Sequence, residues 1–364
     1  MQFNNKNWKL ERYPKTSNNS LKPYSAADEL LLQHGLYLGY ENKNITLIHD
    51  SFGALATALE KYKPTSVITY HSQLKSIWLN LKINKLDSKK LQWVNVIKLQ
   101  ETQSELVLMK VPKSANLFEL YLSKLHSTLN TNATVLCGFM TKYFTPRWLD
   151  IAAQYFDVIE QSKAHKKARI IVLKSPKKQV AQPTLFHTIK SDLGLDLKQF
   201  SGVFSADKID PATRVLLENL PAIAENSTVL DLACGNGVIG KFVKRQNPEI
   251  NLHLLDDNLL AVNSAKLNIS KEEGAFYWSN SLSICKEQKF NLILCNPPFH
   301  FEYENNIEVS IKLFKEAFEY LEEGGEFRLV ANTHLNYKTH LNNIFKRATQ
   351  VVKSGKYEVI SCIK

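Results

Sequence analysis

The sequence predicts an α/β protein of two tandem, doubly wound, mostly parallel sheets, with an antiparallel hairpin at one edge. Three observations point there. Short apolar runs alternate with helix-like stretches, the rhythm of strand–helix–strand units. The 364 residues suffice for two domains, each able to bury its own core. The charge is also split between the halves. Residues 1–190 hold 27 Lys and Arg against 13 Asp and Glu, a balance of +14, whereas residues 191–364 hold 19 against 22, a balance of −3. Such asymmetry suggests a division of labour in which the first half meets a polyanion. With 44% hydrophobic and 22% charged residues, the chain is not of the disordered class.

In chain order, 45–49 reads as a strand and 55–60 as the start of a helix; 66–70, 106–111 and 133–139 read as further strands. From Gln161 to Lys190 there are eight Lys and Arg and no acid, yet 168–173 still reads as a strand. A linker is expected near 175–200, where Ser175-Pro-Lys-Lys-Gln-Val-Ala-Gln-Pro183 is polar, basic and broken by two prolines. The expected domains are 1–185 and 186–364. In the second, 227–232, 252–255, 275–278, 290–295 and 327–331 read as strands, and 258–268 and 309–321 as helices. The runs 349–353 and 357–363, separated by Ser354-Gly355-Lys356, form the edge hairpin. Asp50 precedes Pro112 by 62 residues and Asp231 precedes Pro297 by 66, which suggests duplication of one α/β unit.

Cys137, Cys234, Cys285, Cys295 and Cys362 are odd in number and form no CxxC pair. A disulfide framework and a structural zinc site are not expected; a reducing, cytoplasmic setting is. No metal is implied. The N-terminus lacks the apolar core of a signal peptide, and no run approaches the roughly 18 apolar residues of a membrane span.

The most informative segment is Ser227-Thr-Val-Leu-Asp-Leu-Ala-Cys-Gly-Asn-Gly-Val-Ile-Gly240. A strand runs into a turn whose Gly235 and Gly237 let a ligand approach the main chain, with a helix N-terminus behind them. Asp231 precedes the turn, where a carboxylate would repel a pyrophosphate and suit a ligand ammonium. Asp256 and Asp257 follow the second strand, where a carboxylate can accept ribose hydroxyls; helix capping is the plainer role for one of them. Asn280 follows the third strand, where an amide can meet an adenine edge.

The run 290–295 ends in Asn296-Pro297-Pro298-Phe299. Two prolines stop the strand, remove two amide donors and leave carbonyls to accept hydrogen bonds. Asn296 adds a side-chain acceptor and Phe299 an aromatic face. Together they suit a planar exocyclic amine, oriented in line with an electrophilic methyl group by positioning and electrostatics. In a doubly wound sheet the first and fourth strands are neighbours, so turn and tetrapeptide are expected to share one crevice.

These motifs resemble the class I S-adenosylmethionine-dependent N-methyltransferases. More narrowly, the chain resembles the ribosomal RNA guanine-N2 methyltransferases, which carry two tandem Rossmann-like methyltransferase domains. Gly202-Val-Phe-Ser-Ala-Asp-Lys-Ile-Asp-Pro-Ala-Thr213 looks like that family's lead-in to the glycine turn. Leu10-Glu-Arg-Tyr-Pro14, Ala26-Ala-Asp-Glu29, Asp50-Ser-Phe-Gly-Ala-Leu55, Lys110-Val-Pro-Lys113 and Lys166-Lys-Ala-Arg169 look closer to its large-subunit, 23S rRNA branch. Ala233 stands where glycine is usual, a change that suits a negative φ.

The resemblance implies methyl transfer from S-adenosylmethionine to the N2 of a guanine in rRNA. Asp231, Ala233, Gly235, Asn236, Gly237, Asp256, Asp257, Asn280 and Asn296 would hold the cofactor. Asn296 and the Pro297 carbonyl, with Pro298, would orient the amine while Phe299 stacks on the base; Phe204 and Ser205 would face the substrate. The first domain would be a degenerate copy that binds no cofactor: Asp50-Ser-Phe-Gly53 lacks the G-x-G turn, and Val111-Pro112-Lys113 lacks the Asn and the aromatic. Its positive balance suits RNA phosphates, with Lys110, Lys113, Lys166, Lys167 and Arg169 as candidate contacts. A base in a duplex must be extruded first, so naked or partly assembled RNA is the expected substrate. Small-subunit RNA, an adenine N6, a protein glutamine amide and a non-catalytic assembly role remain as alternatives.

Overall fold

Each half of the chain closes a seven-stranded sheet whose central strands are nearly unbroken apolar runs, as burial on both faces requires. The computed structural model describes residues 1–364 other than Ser17, Thr102, 181–185, Asp192, 206–207, Phe299, 302–303 and Asn306. It divides into two units, Met1–Leu185 and Phe186–Lys364.

The first unit has strands β1 (Ile45–Ile48), β2 (Thr65–Ile68), β3 (Gln92–Asn95), β4 (Ser104–Lys110), β5 (Leu129–Met140), β6 (Phe156–Gln161) and β7 (Ala168–Pro176). The second has β8 (Thr228–Leu232), β9 (Asn251–Asp256), β10 (Gly274–Trp278), β11 (Phe290–Cys295), β12 (Leu321–Asn332), β13 (Ala348–Ser354) and β14 (Tyr357–Ile363). The sheet orders are β3-β2-β1-β4-β5-β7-β6 and β10-β9-β8-β11-β12-β14-β13, the same path taken twice. In each, six strands point the same way and one, β7 or β14, runs antiparallel between the last two of them. The α/β class and the edge hairpin read from the sequence match this architecture.

Two core clusters cover the faces of the second sheet. Leu230, Leu232, Ile293 and Cys295 point into one. Val229, Leu252, Leu254, Leu292 and Leu294 point into the other, beneath the helix Val238–Gln246. Alternation along β8 puts Asp231 on the face that this helix covers.

Three details depart from the sequence reading. The edge strands β3 and β6 were not expected, because their half-exposed polar sequences show no apolar run. The linker does not reach 200: Phe186–Ile189 and Leu197–Phe200 pair as an antiparallel hairpin, held by a small core of Ile189, Leu195, Leu197 and Ile209. Finally, Asp50 and Asp231 are not equivalent. Asp231 lies inside β8, whereas Asp50 stands two residues beyond the end of β1. Matching the strand ends, Ile48 beside Met109 and Leu232 beside Cys295, aligns His49 with Ala233 and Lys110-Val111-Pro112 with Asn296-Pro297-Pro298.

Candidate active site

The central strand β8 delivers the chain into the turn before the helix Val238–Gln246. Gly235 and Gly237 take left-handed φ of 54° and 80°. A Cβ at Gly235 would meet nothing within 4 Å, so the main chain there fronts open space that any side chain would intrude upon. At Gly237 a Cβ would come within 3.0 Å of the Ala265 Cβ. Ala233 also has a positive φ, 60°, which overturns the expectation of a negative one. The sharp exit from β8 imposes this conformation on a residue with a Cβ, at a cost of about 1–2 kcal/mol.

Two carboxylates brace the turn from inside. Gly240 N–H donates to Asp231 Oδ2 (2.9 Å) and Gly235 N–H donates to Asp256 Oδ2 (2.9 Å), while Asn258 N–H donates to Asp256 Oδ1 (2.8 Å). Asp231 is fully buried, and among the described residues its Oδ1 has no partner. Burial pushes its carboxyl up to about 8, against the pull of the Gly240 N–H, and the nearby Asp256 adds to the rise. Burial also lifts Asp256, to about 6, partly offset by the N–H groups it accepts. A buried and a half-buried carboxyl, both raised, the first with an unused acceptor, fit a cationic ligand, whose charge would repay their ionisation.

Asn236 is turned inward. Its Nδ2 donates to Gln199 Oε1 (2.7 Å), its Oδ1 accepts from Val238 N–H (3.2 Å) and its carbonyl accepts from Asn268 Nδ2 (2.8 Å), so the side chain and the carbonyl both serve the turn itself. Gln199 in turn donates to the carbonyls of Val203 and Phe204, tying the lead-in to the turn. Phe204 is 67% exposed and Ser205 has a left-handed φ of 58°.

The ends of β9 and β10 lie beside this turn. Asp256 pairs with Trp278 in register, Ser279 N–H donates to the Asp256 carbonyl (3.0 Å), and Trp278 Nε1 donates to the Asp257 carbonyl (2.8 Å). Asp256, Asp257 and Asn280 are thus gathered at one edge, all half-buried. The cap of the helix Leu259–Asn268 is Asn258, so neither aspartate has that role.

On the other side of β8, register places Leu232 beside Cys295, and Asn296 follows directly. Its Nδ2 donates to Asp210 Oδ2 (3.0 Å) and to Thr213 Oγ1 (2.9 Å). Asp210 also caps the helix Pro211–Leu217 by accepting Thr213 N–H (3.1 Å). Both amide protons of Asn296 are therefore used, and among the described residues no donor reaches its Oδ1, which is left as an acceptor. Of the two proline carbonyls expected to be open, that of Pro298 already accepts the hydroxyl of Ser310, which itself accepts from Tyr337 Oη (2.9 Å). Among the described residues no donor reaches the Pro297 carbonyl. Phe299 lies outside the described residues.

The sequence reading missed Asp210 and Thr213 as site residues. An Asp-Pro helix start was visible, but not its contact with an amide 86 residues away.

Comparison with known proteins fits this geometry. Residues 1–179 match the RLMG N-terminal domain and residues 194–361 the methyltransferase small domain. The ribosomal RNA large subunit methyltransferase G of Shewanella loihica is 33% identical over 370 residues, covering 98% of this chain and 92% of that protein. The namesake from Shewanella oneidensis is 32% identical over 365 residues, covering 98% and 97%. The chain belongs to the ribosomal RNA large subunit methyltransferase G family. Among solved structures, the T. thermophilus 16S rRNA N2 G1207 methyltransferase, in complex with AdoMet and guanosine, shares the fold. It superposes with a TM-score of 0.77 at 21% identity, over 96% of this chain and 94% of that one.

Within the family's N-terminal domain, the expected RNA contacts divide. Lys110 Nζ lies 3.0 Å from Asp28 Oδ2, a carboxylate only 1% exposed. Its ammonium is thus paired with a buried acid of its own domain. Lys166 bridges Glu29 (3.1 Å) yet stays 61% exposed. Lys113, Lys167 and Arg169 are exposed. Lys166 and Lys167 form the two-residue tip of the β6–β7 hairpin with φ of 48° and 62°, a turn that normally selects Asn-Gly. The five cysteines are free and buried. Among the described residues no group of His, Cys, Asp and Glu is placed to hold a metal ion, and no helix is long and apolar enough to cross a membrane.

Proposed function

We propose that this chain transfers a methyl group from S-adenosylmethionine to the exocyclic N2 of a guanine in 23S rRNA. The observation that carries this is the amide of Asn296, held with both protons turned inward and its oxygen left to accept.

S-adenosylmethionine supplies an electrophilic methyl group on a sulfonium centre. Asp231 provides negative charge for its cationic end, the Gly235-Asn236-Gly237 main chain lets it lie close, Asp256 and Asp257 accept from its ribose, and Asn280 meets its adenine. The open space before Gly235 and the partnerless Asp231 Oδ1 support this assignment. The guanine amine is a poor nucleophile because its lone pair is spread into the ring. Asn296 Oδ1 and the Pro297 carbonyl accept its two hydrogens and aim the lone pair, while Phe299 and Phe204 offer aromatic faces to the base. Positioning of this kind lowers the barrier without a strong base.

The large-subunit substrate follows the names of the relatives. Lys166 and Lys167 at the hairpin tip, with Arg169 on β7, contribute phosphate contacts, and the first domain binds RNA rather than cofactor. The protein acts in the cytoplasm on naked or partly assembled RNA. Asn296→Ala tests the mechanism: turnover is abolished while S-adenosylmethionine binding, read by calorimetry, stays within about twofold. Full activity in that variant contradicts it.

A further inference from the structure

We infer that Asp210 and Thr213 are positioning residues for methyl transfer, setting which end of the Asn296 amide meets the substrate amine. This rests on the reading of Asn296 given above.

An asparagine amide can turn end for end at little steric cost, exchanging a double donor for an acceptor. Here the partners decide. Asp210 Oδ2 accepts one Nδ2 proton at 3.0 Å and Thr213 Oγ1 the other at 2.9 Å. Turning the amide would set Oδ1 against the Asp210 carboxylate, acceptor against acceptor, and present Nδ2 to an amine that needs an acceptor. The threonine hydroxyl cannot enforce this alone, since it both donates and accepts. The carboxylate only accepts, so it fixes the orientation; Thr213, 5% exposed, holds the second proton. The same Asp210 oxygen caps the helix Pro211–Leu217 through Thr213 N–H, which fixes its own position. The lead-in segment thus reaches across to the catalytic strand and makes the site select a donor, an exocyclic amine, over a carbonyl.

The cap allows a clean test, because Asp, Asn and Ser cap helices about equally well. Asp210→Asn keeps an acceptor at the same reach, because the Thr213 N–H that the cap must accept holds its amide oxygen, not its NH2, toward Asn296; Asp210→Ser keeps the cap but falls short of Asn296. Under the proposal, Asp210→Ser lowers kcat about ten- to hundredfold, the range expected for loss of a hydrogen bond to a charged group. KM for RNA and Kd for S-adenosylmethionine stay within about twofold, and Asp210→Asn recovers most of the activity. Thr213→Val is impaired and Thr213→Ser is rescued, which decides the matter should an Asp210 variant fold poorly. A purely capping role predicts equal activity for Asp, Asn and Ser. The proposal is overturned if Asp210→Ser keeps kcat within threefold, or if Asp210→Asn is no better than Asp210→Ser. Hydrogen exchange of the Asn296 side-chain amide, assigned by its loss in Asn296→Ala, reads the clamp without turnover. It is slow in the unsubstituted protein and fast in Asp210→Ser. Equal exchange in the two refutes the clamp, whereas slow exchange in a protein that methylates no guanine refutes only the reading of the reaction.

Discussion

Burial of Asp231 makes cofactor affinity depend on pH in a defined direction. Its carboxyl is pushed up to about 8, so at pH 7 roughly nine-tenths of the unliganded protein carries it protonated. A cationic ligand favours the ionised form, so binding at pH 7 releases close to one proton. The ligand's own α-ammonium has an ordinary value of about 7.7–8.0 and is lost above that. The product of the two ionisations rises roughly twentyfold from pH 6 to pH 8 and declines beyond it, giving a bell centred near pH 8. Isothermal titration calorimetry with S-adenosylmethionine from pH 6 to pH 9, repeated in buffers of different ionisation enthalpy, measures both the affinity and the proton. In Asp231→Asn the amide oxygen can still accept Gly240 N–H, so the turn is kept. The acid limb of the bell should then vanish while the alkaline limb remains. An affinity that is flat between pH 6 and pH 8 in the unsubstituted protein, or an acid limb that survives in Asp231→Asn, refutes the reasoning.

Further outcomes follow from other parts of the chain. Asp50 is raised to about 6 from 3.8, chiefly by burial. A raised carboxyl stabilises the fold fully below about pH 4, and that contribution is lost as pH rises through about 6; Asp50→Asn should therefore gain up to about 3 kcal/mol at pH 8 and nothing at pH 4, read by melting at both. Replacing Lys167 and Arg169 together by Ala should flatten the plot of log affinity for RNA against log salt by about 1.5–2, and an unchanged slope would remove the hairpin tip from the interface. Ala233→Gly relieves a left-handed alanine but adds chain flexibility, so a net gain of about 0.5–1 kcal/mol in stability is expected, measured as a higher Tm.

What the sequence revealed depended on whether the deciding contacts were local. β11 and β14 were readable to the residue, because each is a single apolar run bounded by Asn-Pro-Pro or Ser-Gly-Lys. The glycine turn was readable because strand, turn and the start of the helix lie within the 14 consecutive residues 227–240. The left-handed φ of Ala233 was not: it comes from the path of the loop off a central strand, and alanine gives no warning of it. The ion pair of Lys110 was not legible because its buried partner, Asp28, lies 82 residues earlier. Asp50 looked equivalent to Asp231 by spacing, until strand register showed one beyond its strand and the other within it. The Asp210–Asn296 clamp joins two segments that only the closed sheet brings together.

The central claim is a chemical one, that the product is N2-methylguanosine in ribosomal RNA. Purified protein and S-adenosylmethionine should be incubated with naked 23S rRNA from a strain lacking the gene. Digestion to nucleosides and mass analysis then identify the product. The account predicts N2-methylguanosine, close to one per 23S molecule. N6-methyladenosine, or methyl label recovered in protein rather than RNA, would contradict it.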